Sequence, residues 1–192
     1  MSTAERILDT AQALAQVRGY NGFSYADISA EVAITKASIH HHFPSKAQLA
    51  EALIDRYRQR FAAARQEVDD AAAGARERLA GYARLYAEVF TDGGRMCLCG
   101  VFAADAASLP SGVRRAVAAF FEDQERWVAV AFAEAGLPAA RARGAAQAFL
   151  AALEGALLLA RASAPGPGEA PASRPGDGVV LGVTATMLDA LL

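Results

Sequence analysis

Apolar positions recur every three or four residues along most of the chain, and no stretch sustains an alternation of period two. Ala, Leu, Arg and Glu fill the long segments. This pattern predicts an all-α fold. Between about Thr3 and Arg18, the residues Ile7, Leu8, Ala11, Leu14 and Ala15 form one apolar stripe; Ser2 and Glu5 have the spacing of a capping box, and Gly19 ends the helix. Ser24 and Asp27 repeat that spacing for a short second helix from Tyr25, burying Ile28 and Val32. Thr35 then caps a third helix, KASIHHHF, which Pro44 stops, and Ser45 with Gln48 opens a fourth through Leu49, Leu53, Tyr57 and Phe61.

Two short helices joined by a tight turn bury little alone. Packed across the first helix, they form a trihelical unit that presents its last short helix to solvent, which is a helix-turn-helix. Beyond residue 61, breaks at TDGG (91–94), SLPSG (108–112) and GLP (136–138) predict helices near 75–90, 96–107, 112–135 and 138–161. Gly136 suits the left-handed residue after a helix end, and Pro138 suits the first turn of the next helix. The segment 162–178, with four prolines and four glycines, reads as a mobile linker before a last helix, 179–191. About nine helices result, with a small unit over 1–48 and a larger helical domain over 49–192.

A hydrophobic content of 54% in 192 residues is ample for a buried core. The formal charge of −2 carries no overall nucleic-acid signature, but its distribution is uneven. Residues 36–60 hold five basic side chains (Lys36, Lys46, Arg56, Arg58, Arg60) against two acidic ones (Glu51, Asp55). The N-terminal residues mix charge with apolar side chains, unlike a secretory signal, and uncharged stretches such as GVVLGVTATML (178–188) fall short of the ~20 residues that cross a bilayer. No membrane association and a cytoplasmic location are expected. Two cysteines make no disulfide framework.

Three consecutive histidines, His40, His41 and His42, are the only ones in the chain. Successive helical residues point about 100° apart, so the three do not converge on one metal ion, and no orienting carboxylate or nucleophile accompanies them for acid–base work. With no histidine and no evident carboxylate pair in the larger half, neither an enzyme nor a metal or other cofactor is expected. Ile39 and Phe43, four apart, should face the core, which leaves Lys36, Ala37, Ser38, His40, His41 and His42 over the remaining surface.

The stretch GYNGFSYADISAEVAITKASIHHHFPSKAQL resembles the DNA-binding signature of the TetR/AcrR transcriptional regulators over roughly residues 5–53. The likeness lies in the glycine–aromatic pair, the Ser/Thr cap, the lysine of the third helix, the terminal His-x-Phe and the Ser-Lys opening the fourth helix. Ala33 stands where the family usually has glycine, and His40 where it usually has tyrosine. The resemblance implies that Lys36, Ala37, Ser38, His40, His41 and His42 meet bases and phosphates in a major groove of double-stranded DNA, while Ser24, Thr35 and Lys46 anchor flanking phosphates. For Ser24 and Thr35 helix capping is an equally available role.

The resemblance further implies a helical domain with an internal small-molecule pocket and a homodimer built from the last two helices. Tyr82, Tyr86, Phe90, Phe102 and Trp127 are the aromatic candidates for lining that pocket, although each also reads as ordinary core. Cys97 joins them because RMCLCG offers a second inducing chemistry, a thiol beside Arg95 that reacts with oxidants or electrophiles; the alternative is two small residues that let helices pack closely. For dimerisation, the stripe Phe149, Leu153, Leu157 and the face Val180, Val183, Met187, Leu191 are expected to pair with copies of themselves. The function expected is a repressor released from a palindromic operator by a small-molecule or thiol-reactive inducer. The competing expectation is a helical small-molecule-binding or thiol redox-sensing protein that does not act through DNA.

Overall fold

The computed structural model describes residues 1–91, 95–163 and 176–192. Among the described residues there are nine helices and no strand: α1 (Thr3–Arg18), α2 (Tyr25–Val32), α3 (Lys36–His42), α4 (Lys46–Ala71), α5 (Ala75–Thr91), α6 (Leu98–Ala104), α7 (Ser111–Glu134), α8 (Ala139–Ala162) and α9 (Gly176–Leu191). They pack as two units. One comprises Met1–Arg60 with Leu98–Phe120, the other Phe61–Cys97 with Phe121–Leu192. The functional division expected after residue 48 therefore differs from the packing division, because Leu98–Phe120 returns to the N-terminal unit.

In the first unit the local signals act as the spacing predicts. Ser2 Oγ accepts the Glu5 N–H at 3.2 Å and the Glu5 carboxylate accepts the Ser2 N–H at 2.6 Å; the Ser2 N–H, and after it the Ser2 hydroxyl, hold the Glu5 carboxyl below its usual range. The second capping box, Ser24 with Asp27, is likewise complete. Ile7, Ala11, Ala15, Ile28, Val32, Ile39, Leu49, Leu53 and Ile54 form the core together with Phe102, Leu109, Val113, Val117 and Phe120 from the returning segment. That segment is tied down at both ends. Tyr20 meets Phe102 edge-on at 5.6 Å, Asp105 accepts the Tyr20 N–H at 2.8 Å, and Tyr57 packs against Phe120 at 5.5 Å. The helix expected over 96–107 is shorter, Leu98–Ala104: the chain turns where Asp105 is spent on Tyr20 and where the Ser108 hydroxyl donates to the Asp105 carbonyl at 2.9 Å.

The second unit buries the small-residue face of α8 (Ala142, Ala145, Ala146, Ala156, Ala160) alongside Phe149, Leu150, Leu153 and Leu157. By length and composition α8 would suffice to cross a bilayer, contrary to the expectation that every apolar stretch is too short, yet its apolar residues serve this core. The fourth helix runs ten residues past Phe61, to Ala71, through an Ala/Arg/Glu-rich stretch with no Gly or Pro to stop it. The last helix begins at Gly176, inside the expected linker, and α8 takes Ala162; linker residues 164–175 and residues 92–94 of the TDGG break lie outside the described residues. On α9 the residues turned inward are Val180, Thr184 and Leu188, with the Thr184 hydroxyl returned to the Val180 carbonyl at 2.8 Å.

Candidate nucleic-acid interface and interior site

A helix of seven residues is too short to persist alone, so α3 depends on what holds it. Thr35 Oγ1 accepts the Ser38 N–H at 3.1 Å. Ile39 is fully buried beneath the helix, and the Tyr25 hydroxyl donates to the Phe43 carbonyl at 2.8 Å where α3 ends. Burial pushes the Tyr25 hydroxyl up to about 12, so it remains a donor at any ordinary pH. The turn into α3 passes through Ala33 at φ 57, ψ 46, and its carbonyls are occupied: Arg6 donates to Val32 at 2.7 Å and Ser29 to Ile34 at 2.5 Å.

With Ile39 turned inward, Thr35, Lys36, Ala37, His40, His41 and His42 are exposed and Ser38 is half-buried. The sequence thus brings these candidates together over about two turns of one short helix. His40 is partly engaged, its Nδ1 lying 3.2 Å from the Pro44 carbonyl oxygen and its ring 4.7 Å from Tyr25. Ser24 is exposed, but its hydroxyl accepts the Ala26 N–H and donates to Asp27 at 2.6 Å. Lys46, expected to anchor a flanking phosphate, lies against the protein's own backbone and rings. It is half-buried, its ammonium donates to the Phe23 carbonyl, and it lies 4.3 Å from the Phe23 ring centre and 4.8 Å from that of Tyr20. Desolvation there holds its pKa below the usual lysine range.

The interior of the second unit gathers Tyr82, Tyr86, Phe90, Cys97 and Trp127 from the expected pocket residues. Tyr82 and Tyr86 lie 5.5 Å apart, both edged by Phe61, and Trp127 stacks on Tyr82 at 5.2 Å. The Tyr82 hydroxyl donates to Gln124 Oε1 at 3.2 Å, which also accepts from Arg65 at 3.1 Å. Trp127 Nε1 donates to Asp69 at 3.0 Å, and Arg78, 5.1 Å over the indole, pairs with Asp69 at 2.7 Å and with Glu134. Phe102 does not join this group. It belongs to the other unit, where it packs on Tyr20.

Sequence reasoning missed Glu154. Its residue is partly exposed, but Oε1 is closed off from solvent and has no hydrogen-bond partner; the Tyr86 hydroxyl is in the same condition. Burial pushes the Glu154 carboxyl up to about 7, against a smaller opposing pull from the Cys97 thiol and the Tyr86 hydroxyl. The one available signal was a lone acid inside FLAALEGALLLA. Cys97 and Cys99 are both buried and neither is in a disulfide, and Cys97 precedes α6 rather than lying within it. Among the described residues, no group of three or more His, Cys, Asp or Glu could hold a metal ion.

Of the residues expected at the dimer face, four are turned into the subunit and three lie partly at its surface. Phe149, Leu153, Leu157 and Val180 are buried inside the subunit and have no surface to offer a partner; Val183, Met187 and Leu191 are half-buried. The apolar residues left outward are Leu158 and Leu159 of α8, 61% and 62% exposed, and Leu181 of α9. Val183 and Met187 line a shallow groove along α9 with Val179, Gly182 and Thr186.

Residues 7–53 match the model of bacterial regulatory proteins of the tetR family, and residues 75–165 match the C-terminal domain of LmrA/YxaF-like transcriptional regulators. The chain is similar to a TetR transcriptional regulator from Legionella pneumophila, with 32% identity, 99% of this chain and 97% of that one covered, and a TM-score of 0.88. A TetR-family regulator from Agrobacterium tumefaciens is similar at 33% identity, with coverage of 97% and 96% and a TM-score of 0.84. At 24% identity, a regulatory protein TetR from Rhodobacter sphaeroides shares the fold, with a TM-score of 0.83 over 98% of each chain. No curated protein matches. The supported helix-turn-helix, the all-helical second unit and relatives covering nearly the whole chain lead to one assignment: the chain belongs to the TetR family of transcriptional regulators.

Proposed function

We propose that the chain is a repressor that binds a palindromic operator as a homodimer and releases it when a small molecule occupies the interior of the second unit. Regulators of this family bind DNA operators and small-molecule ligands and form dimers. The observation that carries the reading for this chain is α3: a helix fixed from beneath by Ile39, Thr35 and the Tyr25–Phe43 bond, with Lys36, Ala37, His40, His41 and His42 facing solvent. Small side chains at 37 and 38 let its first turn approach a major groove, while Lys36 and the histidines supply donors for phosphates and base edges. Thr35 and Ser24 contribute phosphate contacts from the ends of their helices. Lys46 acts as a positioning residue, holding the start of α4 against the Phe23 carbonyl.

Dimerisation uses the outward apolar residues of α8 and α9, Leu158, Leu159 and Leu181 with Val183 and Met187, and it sets two recognition helices for adjacent turns of the duplex. Ligand binding in the Tyr82–Tyr86–Trp127 interior favours a form of the dimer that fits the operator less well, and the coupling equals the ligand's differential affinity for the two forms. Three covalent routes carry it. Helix α4 starts at the DNA-binding unit and ends in the second unit, Cys97 of the second unit is bonded directly to Leu98 of α6 in the first, and α7 begins in the first unit and ends in the second. The reaction compartment is the cytoplasm, where the operator lies. The test is a mobility-shift and footprinting assay on DNA upstream of the protein's own coding region. A discrete palindromic footprint that Lys36→Ala combined with His41→Ala abolishes, with helicity unchanged, is the expected result; equal affinity for all duplexes, or no loss in the variant, refutes it.

A further inference from the structure

We propose that the interior of the second unit recognises an organic cation, a protonated amine on an apolar or aromatic body, with the Glu154 carboxylate as its counter-charge. The proposal rests on the reading of that interior as the ligand site and adds the ligand's chemical class. A carboxylate withdrawn from water is costly unless a cation or several donors compensate it. Glu154 Oε1 is withdrawn and has no partner. The groups that act on this carboxyl are neutral, the Cys97 thiol and the Tyr86 hydroxyl. Arg65 is committed to Gln124 and to the Asp123 carbonyl, and Arg78 to Asp69 and Glu134. The protein therefore leaves the positive partner to be supplied from outside.

The surroundings suit a cation's organic part. Tyr82, Tyr86 and Phe61 present electron-rich rings, which attract an ammonium within about 6 Å of a ring centre. The Tyr86 hydroxyl, also without a partner, accepts one ammonium hydrogen while the carboxylate takes another. An unpartnered Nε on Arg65 points toward an acceptor instead, but that guanidinium already donates twice and an anion would face the carboxyl. Binding a cation requires Glu154 to ionise, so affinity is linked to pH. The groups around it from α5, Tyr82 and Tyr86, are raised by burial and stay neutral between pH 6 and 8, and Gln124 from α7 does not titrate. With a carboxyl at about 7, the ionised fraction rises about tenfold from pH 6 to pH 8.

The experiment uses the full chain and three probes sharing one body: 4-phenylbutylammonium, 4-phenylbutanol and 4-phenylbutyrate. Binding is followed by calorimetry and by the fluorescence of Trp127, the only tryptophan, which stacks on Tyr82. The ammonium is expected to bind at least tenfold tighter than the alcohol at pH 8, to weaken about tenfold by pH 6, and to lose both features in Glu154→Gln. Glu154→Asp keeps the charge and retains the preference for the ammonium, which separates loss of charge from loss of fold. Equal or tighter binding of the alcohol or the butyrate, an unchanged preference in Glu154→Gln, or no binding of the ammonium at pH 8 overturns the proposal. If the ammonium binds with this signature but leaves the operator complex intact, the release mechanism fails and the cation site stands. If a neutral compound releases operator equally from Glu154→Gln, the cation site fails and the release mechanism stands.

Discussion

Ala33 closes α2 with φ 57 and ψ 46, a left-handed conformation in which a Cβ costs roughly 1–2 kcal/mol. Glycine relieves that strain but brings more chain entropy to the unfolded state, about 0.5–1 kcal/mol. Ala33→Gly is therefore expected to stabilise the protein by about 0.5–1 kcal/mol, visible as a rise of a few degrees in thermal midpoint. Glu154 gives a prediction of opposite character. Because burial raises its carboxyl to about 7, the folded state binds more protons than the unfolded chain above the ordinary carboxylate range. Stability must then fall as pH rises from about 5 to 7.5, by on the order of 2 kcal/mol once screening of a partly exposed residue is allowed for. Urea midpoints across that range should slope downward in the parent and flatten in Glu154→Gln. The lowered carboxyls, Glu5, Asp27 and Glu125, lose their contribution only at more acid pH, outside this window. Ala33 was legible through the family resemblance, because the glycine usual at that place marks a left-handed turn. Glu154 was not, because one acid in an apolar run says nothing about whether a partner meets it.

The starts of the helix-turn-helix elements are legible to the residue because each is set by a local cap, Ser2 with Glu5, Ser24 with Asp27, and Thr35 on the Ser38 N–H, whereas α3 ends at His42, one residue short of the expected Phe43. Boundaries that depend on distant residues are less so. Helix α6 ends early because Asp105 is drawn to Tyr20, and α4 continues because nothing stops it. The direction of Lys46 belongs to the same class, since the Phe23 carbonyl it meets is 23 residues away. This separates two lysines that look equivalent in sequence. Lys36→Ala is expected to leave stability unchanged within about 0.5 kcal/mol and to reduce the salt dependence of operator binding by about one phosphate contact. Lys46→Met is expected to lower stability by about 1–2 kcal/mol, by leaving the Phe23 carbonyl without its charged donor, with the salt slope unaltered. Denaturant titration and binding isotherms at several salt concentrations read both quantities.

For the whole molecule, the sequence offers several apolar stripes without saying which serve the subunit and which a partner. Phe149, Leu153, Leu157 and Val180 have the right spacing for an interface, yet α8 and α9 turn them toward their own core and leave Leu158, Leu159 and Leu181 outside. Leu158→Glu with Leu159→Glu should therefore give a helical, cooperatively folding monomer in sedimentation equilibrium, with operator affinity reduced at least a hundredfold by loss of the second half-site. A dimer that persists in this variant places the interface elsewhere.

The N-terminal unit draws Phe102, Leu109, Val113, Val117 and Phe120 from a stretch that follows it by some forty residues. A nascent chain emerging from the ribosome consequently cannot finish its reading head until residue 120 is free, by which point α5 has already been made. A fragment cut at residue 60 would leave Tyr20 and Tyr57 without the rings that cover them. The part that meets the operator and the part that meets the inducer are thus interleaved along the polypeptide, and grafting the first onto another regulator requires carrying residues 98–120 with it.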